Sequence, residues 1–139
     1  MEIPRYKLSV SERNTLQKQV YIWQLLHNKK DFFFIWFHGG VYSVALDREL
    51  YEPTGLLCNI DKEELLQMEA HRPQQLSSEQ WWLLLSSLLY LINNRKYRTI
   101  QDINKFCIEY LADDFKPLVQ YVNEAMLVLT DYRLLREGD

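Results

Sequence analysis

The clearest pattern in the chain is a run of large apolar residues that is interrupted by two glycines. Phe32 to Phe37 holds five aromatic residues and one isoleucine, Gly39-Gly40 follows, and Val41 to Leu46 is again rich in apolar residues. Aromatic and β-branched residues favour strands, and two glycines supply the positive φ angles of a tight hairpin turn. The pattern predicts a β-hairpin in which residue 37 pairs with 42, 35 with 44 and 33 with 46.

This pairing divides the predicted hairpin into two faces, because successive side chains of a strand point in opposite directions. The first face carries large apolar residues only, and we expect it to be core: Phe33, Ile35, Phe37, Tyr42, Val44 and Leu46. The second face carries Phe34, Trp36, Ser43 and Ala45. Since Phe34 and Trp36 are also apolar, the second face needs either another layer of this chain or a partner.

Helical spacing of apolar residues predicts about five helices. The first runs from about residue 10 to 28 behind a capping box of Ser9 and Glu12, and another begins near Asp61 and ends before Pro73. A helix that Ser77 or Ser78 caps is apolar nearly all round from residue 81 to 92, which is typical of a central element. Two more helices follow Thr99 and Asp113-Asp114. The last has Pro117 in its first turn and the apolar stripe Leu118, Val122, Met126, Leu129 and Tyr132.

These elements predict an α+β fold in which a mainly helical bundle packs on a small antiparallel sheet. The sheet is the hairpin alone, or three strands if Leu56 to Ile60 returns after the turn at residues 52–55. A length of 139 residues and the lack of a long linker indicate one globular domain over 1–139, with flexible ends at 1–8 and 136–139.

Composition and charge narrow the function classes. The net charge of −3 gives no overall attraction to nucleic acid or anionic lipid, and the apolar run at 81–92 is shorter than the ~20 residues of a membrane-spanning helix. The first residues contain no apolar leader, so we expect a cytoplasmic protein that does not contact membranes. The two cysteines, Cys58 and Cys107, lie in apolar surroundings, which is typical of buried free thiols.

Catalytic and cofactor chemistry find little support in the spacing of residues. His38-Gly39-Gly40 resembles the oxyanion-hole segment of lipase-like hydrolases, but a Gly-x-Ser-x-Gly elbow is missing and a hairpin turn explains the glycines. A cysteine–histidine pair is an open alternative that depends on the fold. The histidines and cysteines lack metal-ligand spacing, and the chain has no glycine-rich phosphate loop. We therefore predict a non-enzymatic protein without a cofactor or metal.

The function that remains is a protein–protein interaction module, such as an adaptor, an inhibitor or a regulatory subunit of a larger complex. Phe, Tyr and Trp make up 14% of the chain, and such residues anchor interfaces. We expect Phe34 and Trp36 to contact the partner and the basic cluster Arg95, Lys96 and Arg98 to steer an acidic surface. The alternative is a nucleic-acid-associated subunit that binds RNA or DNA through that cluster and Lys29-Lys30. A third alternative is that two copies of the chain associate through the edge of the hairpin.

Overall fold

The computed structural model describes residues 8–37, 40–55, 57, 60–95, 101–102, 105 and 113–134. Its elements are α1 (Val10–Leu26), β1 (Ile35–Phe37), β2 (Gly40–Tyr42), α2 (Val44–Tyr51), α3 (Glu63–Ala70), α4 (Ser78–Arg95), a 3₁₀-helix (Asp113–Tyr121) and α5 (Val122–Asp131). The α+β, mainly helical fold predicted from the sequence is confirmed. The proposed extent of the domain, 1–139, stays a prediction, because both ends lie outside the described residues.

Helix α4 is the central element, as its all-round apolar character predicts. Ser77 and Gln80 form a reciprocal cap at its start, in which each side chain accepts the other's backbone N–H at 3.1 and 2.8 Å. Trp81 and Trp82 are fully buried, and the Trp81 indole N–H donates to the backbone oxygen of Met68 at 3.0 Å. The helix contacts α1, β2 and α5, so it joins the hairpin to the helices in one core.

Both ends of helix α1 are capped, the first by side chains and the last by a backbone hydrogen bond. Ser9 and Glu12 form the predicted capping box. At the other end Asn28 adopts a positive φ of 52°, and the Lys29 N–H donates to the carbonyl of Gln24 at 2.8 Å. This is the bonding of a Schellman motif, in which Asn is one of the residues that tolerate the left-handed conformation.

The apolar stripe predicted for the last helix packs on the core, but the first half of this helix is a 3₁₀-helix and only the second half is an α-helix. Pro117 lies inside the 3₁₀-helix, which continues directly into α5. Leu118, Val122 and Leu129 are buried, and Met126 and Tyr132 are half-buried against the core.

Helix α3 ends at Ala70, before Pro73 as predicted, and Asp61 accepts the Glu63 N–H at 2.9 Å. The sequence also predicts a helix after Thr99. Its described residues, Gln101, Asp102 and Lys105, are helical, and its other residues lie outside the described part of the chain.

The hairpin itself differs from the prediction in register and in length. Ile35 pairs with Tyr42, Trp36 with Val41 and Phe37 with Gly40, so the register is shifted by two residues and residues 38–39 connect the strands. Strand β2 ends at Tyr42 because Ser43 caps α2, accepting the Leu46 N–H at 3.2 Å. The expected strand from 41 to 46 is therefore wrong beyond residue 42. The described sheet has two strands, and Leu57 and Ile60, the described residues of the suggested third strand, belong to neither.

Candidate docking surface

Side chains of the aromatic segment alternate strictly between the core and the surface. Phe32 is buried and Phe34 and Trp36 are half-buried, whereas Phe33, Ile35 and Phe37 are 81%, 40% and 49% exposed. The prediction that the face of Phe33, Ile35 and Phe37 is core is therefore wrong. That prediction relied on Val44 and Leu46 extending the same strand face, but both belong to α2, where Val44 is exposed and Leu46 is buried.

Phe34 and Trp36 face the helices. The Phe34 ring meets the ring of Tyr21 edge-on with centroids 5.2 Å apart, and Trp36 lies over Tyr90 of α4 at 5.2 Å. Aromatic pairs at these distances add to the energy of burial. The two residues predicted as partner anchors thus attach the inner side of the hairpin to α1 and α4.

Two buried glutamines of α1 hold the two ends of the hairpin. The Gln24 amide donates to the carbonyl of Phe32 at 3.1 Å and accepts the Phe32 N–H at 2.7 Å. Seven residues earlier, Gln17 makes the same pair of bonds to Ser43, at 3.0 and 2.9 Å. Since both backbone groups of Phe32 and of Ser43 are paired in this way, the hairpin is fixed on α1 at the entry to β1 and at the exit of β2.

We call Phe33, Ile35, Phe37 and Tyr42 the outer face. Phe37 stacks on Tyr42 with ring centroids 5.5 Å apart, and Ile35 is the cross-strand neighbour of Tyr42. Burial raises the pKa of the Tyr42 phenol, and its hydrogen bond with Asp47 acts in the same direction. Ile35, Phe37 and Tyr42 thus lie side by side on the outer face, and Phe33 occupies the next alternate position along the chain.

A cleft with two lysines adjoins the outer face at Phe33. It has a volume of about 270 Å³, and its described lining comprises Tyr21, Gln24, Leu25, Lys29, Lys30, Phe32, Phe33, Phe34 and Asn94. Lys29 and Lys30 are exposed, and among the described residues neither forms an ion pair. We call this the lysine cleft. Because Phe33 belongs to both, the outer face and the lysine cleft form one continuous surface.

The basic cluster predicted as a steering element is placed only in part. Arg95 is the last residue of α4, and its neighbour Asn94 lines the lysine cleft. The side chain of Arg95 itself is not among the described ones. Lys96 and Arg98 lie outside the described residues. The structure thus brings Lys29 and Lys30 to the end of α4 where this cluster begins.

A second and larger cleft, of about 620 Å³, lies between α1, α3 and the start of α4. Glu12, Glu69 and Glu79 line it, but Glu12 caps α1 and Glu69 accepts hydrogen bonds from Ser78, Trp82 and Arg72. Glu79 lies near the half-buried Lys18 and opposes the effect of burial, which lowers the pKa of that ammonium group. Glu12 and Glu69 are thus engaged in hydrogen bonds within the fold, and the described residues contain no group of three His, Cys, Asp or Glu side chains that suits a metal.

The histidines give one described pair. The His27 Nε2 lies 2.7 Å from a carboxylate oxygen of Glu64, and its ring packs on Trp23 at 4.8 Å, so this pair joins α1 to α3. His38, Cys58 and Cys107 lie outside the described residues, and the cysteine–histidine alternative is not tested by the geometry. Of the described helices, none has both the length and the apolar character needed to cross a membrane.

Comparison with known proteins gives no match: we found none among protein families, curated proteins or solved structures. The interpretation of the surface therefore rests on its own geometry.

Proposed function

We propose that this protein is a non-enzymatic protein–protein interaction module that binds its partner through the outer face. One observation carries the proposal: three large apolar side chains at alternate positions are exposed, Phe33 just before β1 by 81% and Ile35 and Phe37 within β1 by 40% and 49%. Contiguous exposed apolar surface on a soluble domain marks an interaction site more often than isolated apolar residues do. Phe and Tyr are also among the residues enriched at interfaces.

The attachment of the hairpin supports this role. Gln17 and Gln24 fix its ends, and Phe34 and Trp36 fill the space between the strands and the helices. A surface that is already held in its binding conformation loses less conformational entropy when a partner arrives. That Phe34 and Trp36 themselves contact a partner stays a prediction, and their half-burial gives them a supporting position under the outer face.

The proposal is tested by removing the outer face without disturbing the fold. The variant Phe33→Ser/Phe37→Ser should lose stoichiometric capture of a partner protein from extract of the native cell while keeping the circular dichroism and melting temperature of the wild type. Leu66→Ser/Leu127→Ser is the matched control, because these leucines are 65% and 66% exposed on α3 and α5. Equal capture by both variants would refute the proposal.

The second candidate function, contact with RNA or DNA, is favoured by the lysine cleft. Two lysines beside the exposed Phe33 ring combine phosphate-binding groups with a surface for base stacking. Under this function, binding of a fluorescent single-stranded oligonucleotide should weaken steeply with salt and should be lost in Lys29→Glu/Lys30→Glu. An oligonucleotide that is not retained at low salt would eliminate this candidate.

A further inference from the structure

We infer that the partner segment that binds the outer face is apolar and carries carboxylates at the end that lies over the lysine cleft. The inference rests on the proposed function and adds to it the chemistry of the ligand. Its basis is that Phe33 lies on both surfaces, so a segment that covers Phe33 reaches Lys29 and Lys30 as well.

The charge of the cleft is not compensated within the described part of the protein. Both lysines are exposed and lack an ion pair there, and the neighbouring Asp31 is not among the side chains that line the cleft. The lining is otherwise aromatic, aliphatic or amide in character. A carboxylate that enters therefore meets two ammonium groups and no described acidic side chain, which is the complementarity that orients a charged partner.

The lysines are also held in place at the backbone. Asn28 turns the chain at the end of α1, and the Lys29 N–H is bonded to the Gln24 carbonyl. Gln24 in turn holds Phe32, the residue before Phe33. The backbone of Lys29 and the backbone of Phe32 are thus bonded to the same residue, Gln24, the first through its backbone carbonyl and the second through its side-chain amide, which fixes the spacing that a ligand must match.

A protein segment fits this surface better than the alternatives. Nucleic acid would use the two lysines and stack on Phe33, but Ile35 and the Phe37–Tyr42 pair would remain uncovered. An anionic membrane would meet a protein of net charge −3 with only two described cations at this place. A partner with apolar side chains and adjacent carboxylates covers the outer face and neutralises the cleft together.

The test is selection of random peptides displayed on phage against the wild-type protein, with counter-selection against Phe33→Ser/Phe37→Ser. Enriched peptides should combine large apolar residues with Asp or Glu at one end. A synthetic peptide of this kind should bind about tenfold more weakly to Lys29→Glu/Lys30→Glu and almost unchanged to Lys62→Glu, whose lysine lines the other cleft. Repeating the selection on the charge-reversed protein should enrich Lys and Arg in place of the acids.

Several results would overturn the inference, and they are distinguishable from failure of the proposed function. Apolar peptides without an acidic preference would leave the proposed function standing and reject the carboxylate. A lack of enrichment over Phe33→Ser/Phe37→Ser would reject both. Binding to single-stranded oligonucleotide or to phosphatidylserine vesicles that Lys29→Glu/Lys30→Glu abolishes would assign the cleft to phosphate. A dimer in light scattering that Phe37→Ser dissociates would assign the outer face to a second copy of the chain.

Discussion

Single side chains decide how the hairpin lies on the helices. Gln17 and Gln24 occupy the buried side of α1, where a glutamine is costly unless its amide is fully paired. Their partners are backbone groups of Phe32 and Ser43, which would otherwise be buried without hydrogen bonds. The sequence offered a signal, since two polar residues seven apart share the side of the helix that carries Val20. Their partners could not be predicted, because a backbone contact leaves no trace in residue type.

Replacing Gln24 by Leu tests this attachment. The side chain keeps its approximate size but leaves the N–H and the carbonyl of Phe32 unpaired, so we expect the free energy of unfolding to fall by about 2 to 4 kcal/mol. Urea denaturation measures the change. Gln19→Leu is the control, because the side chain of this half-buried glutamine of α1 forms no hydrogen bond with another described residue, and it should change the free energy by less than about 1 kcal/mol.

Lys18 predicts a dependence of stability on pH. Burial lowers the pKa of its ammonium group in the folded protein, so between that pKa and 10.5 the unfolded chain binds more protons and stability rises with pH. Lys18→Met should therefore raise the free energy of unfolding at pH 7 by about 1 kcal/mol, and the gain should shrink toward pH 10. A gain that stays constant over this range, or that Lys62→Met also shows, would contradict the explanation.

At the scale of elements, local signals predicted most helices and failed at one junction. The capping box of α1, the all-round apolar α4 and the stripe of α5 depend on residues a few positions apart, and all three are present. Residues 43–46 carry two signals, since Val44 continues the β-branched pattern while Ser43 and the helix-forming residues that follow favour a helix start. The helix prevails because its cap bonds and the burial of Leu46 act together.

The end of α5 offers a test of how an element is terminated. Arg133 has a positive φ of 56°, and the Leu134 N–H donates to the Leu129 carbonyl, as at the end of α1. Glycine adopts this conformation without the steric cost that Arg pays, so Arg133→Gly should raise the free energy of unfolding by about 1 kcal/mol. Glu124→Gly, at an exposed position inside α5, should lower it by about 1 kcal/mol in the same thermal denaturation assay. If Arg133→Gly and Glu124→Gly both lower the free energy of unfolding, the backbone conformation of Arg133 does not limit stability.

At the scale of the whole molecule, the exposed and buried sides of the hairpin are set by contacts between distant residues. Both sides of the Phe32 to Phe37 segment are apolar, so composition could not distinguish them. The distinction comes from Tyr21 and Tyr90, which receive Phe34 and Trp36, and from the glutamines of α1. For the candidate site, the sequence predicted an aromatic hairpin with two apolar faces. It wrongly assigned Phe33, Ile35 and Phe37 to the core, and it left open whether this chain or a partner covers Phe34 and Trp36.

The most direct test of the outer face as a docking surface is photo-crosslinking in the native cell. Benzoylphenylalanine in place of Phe33 should give a discrete adduct with a partner protein on irradiation, whereas the same group in place of Leu66, exposed on α3, should not. A partner adduct that forms from position 66 and not from position 33 would contradict the account.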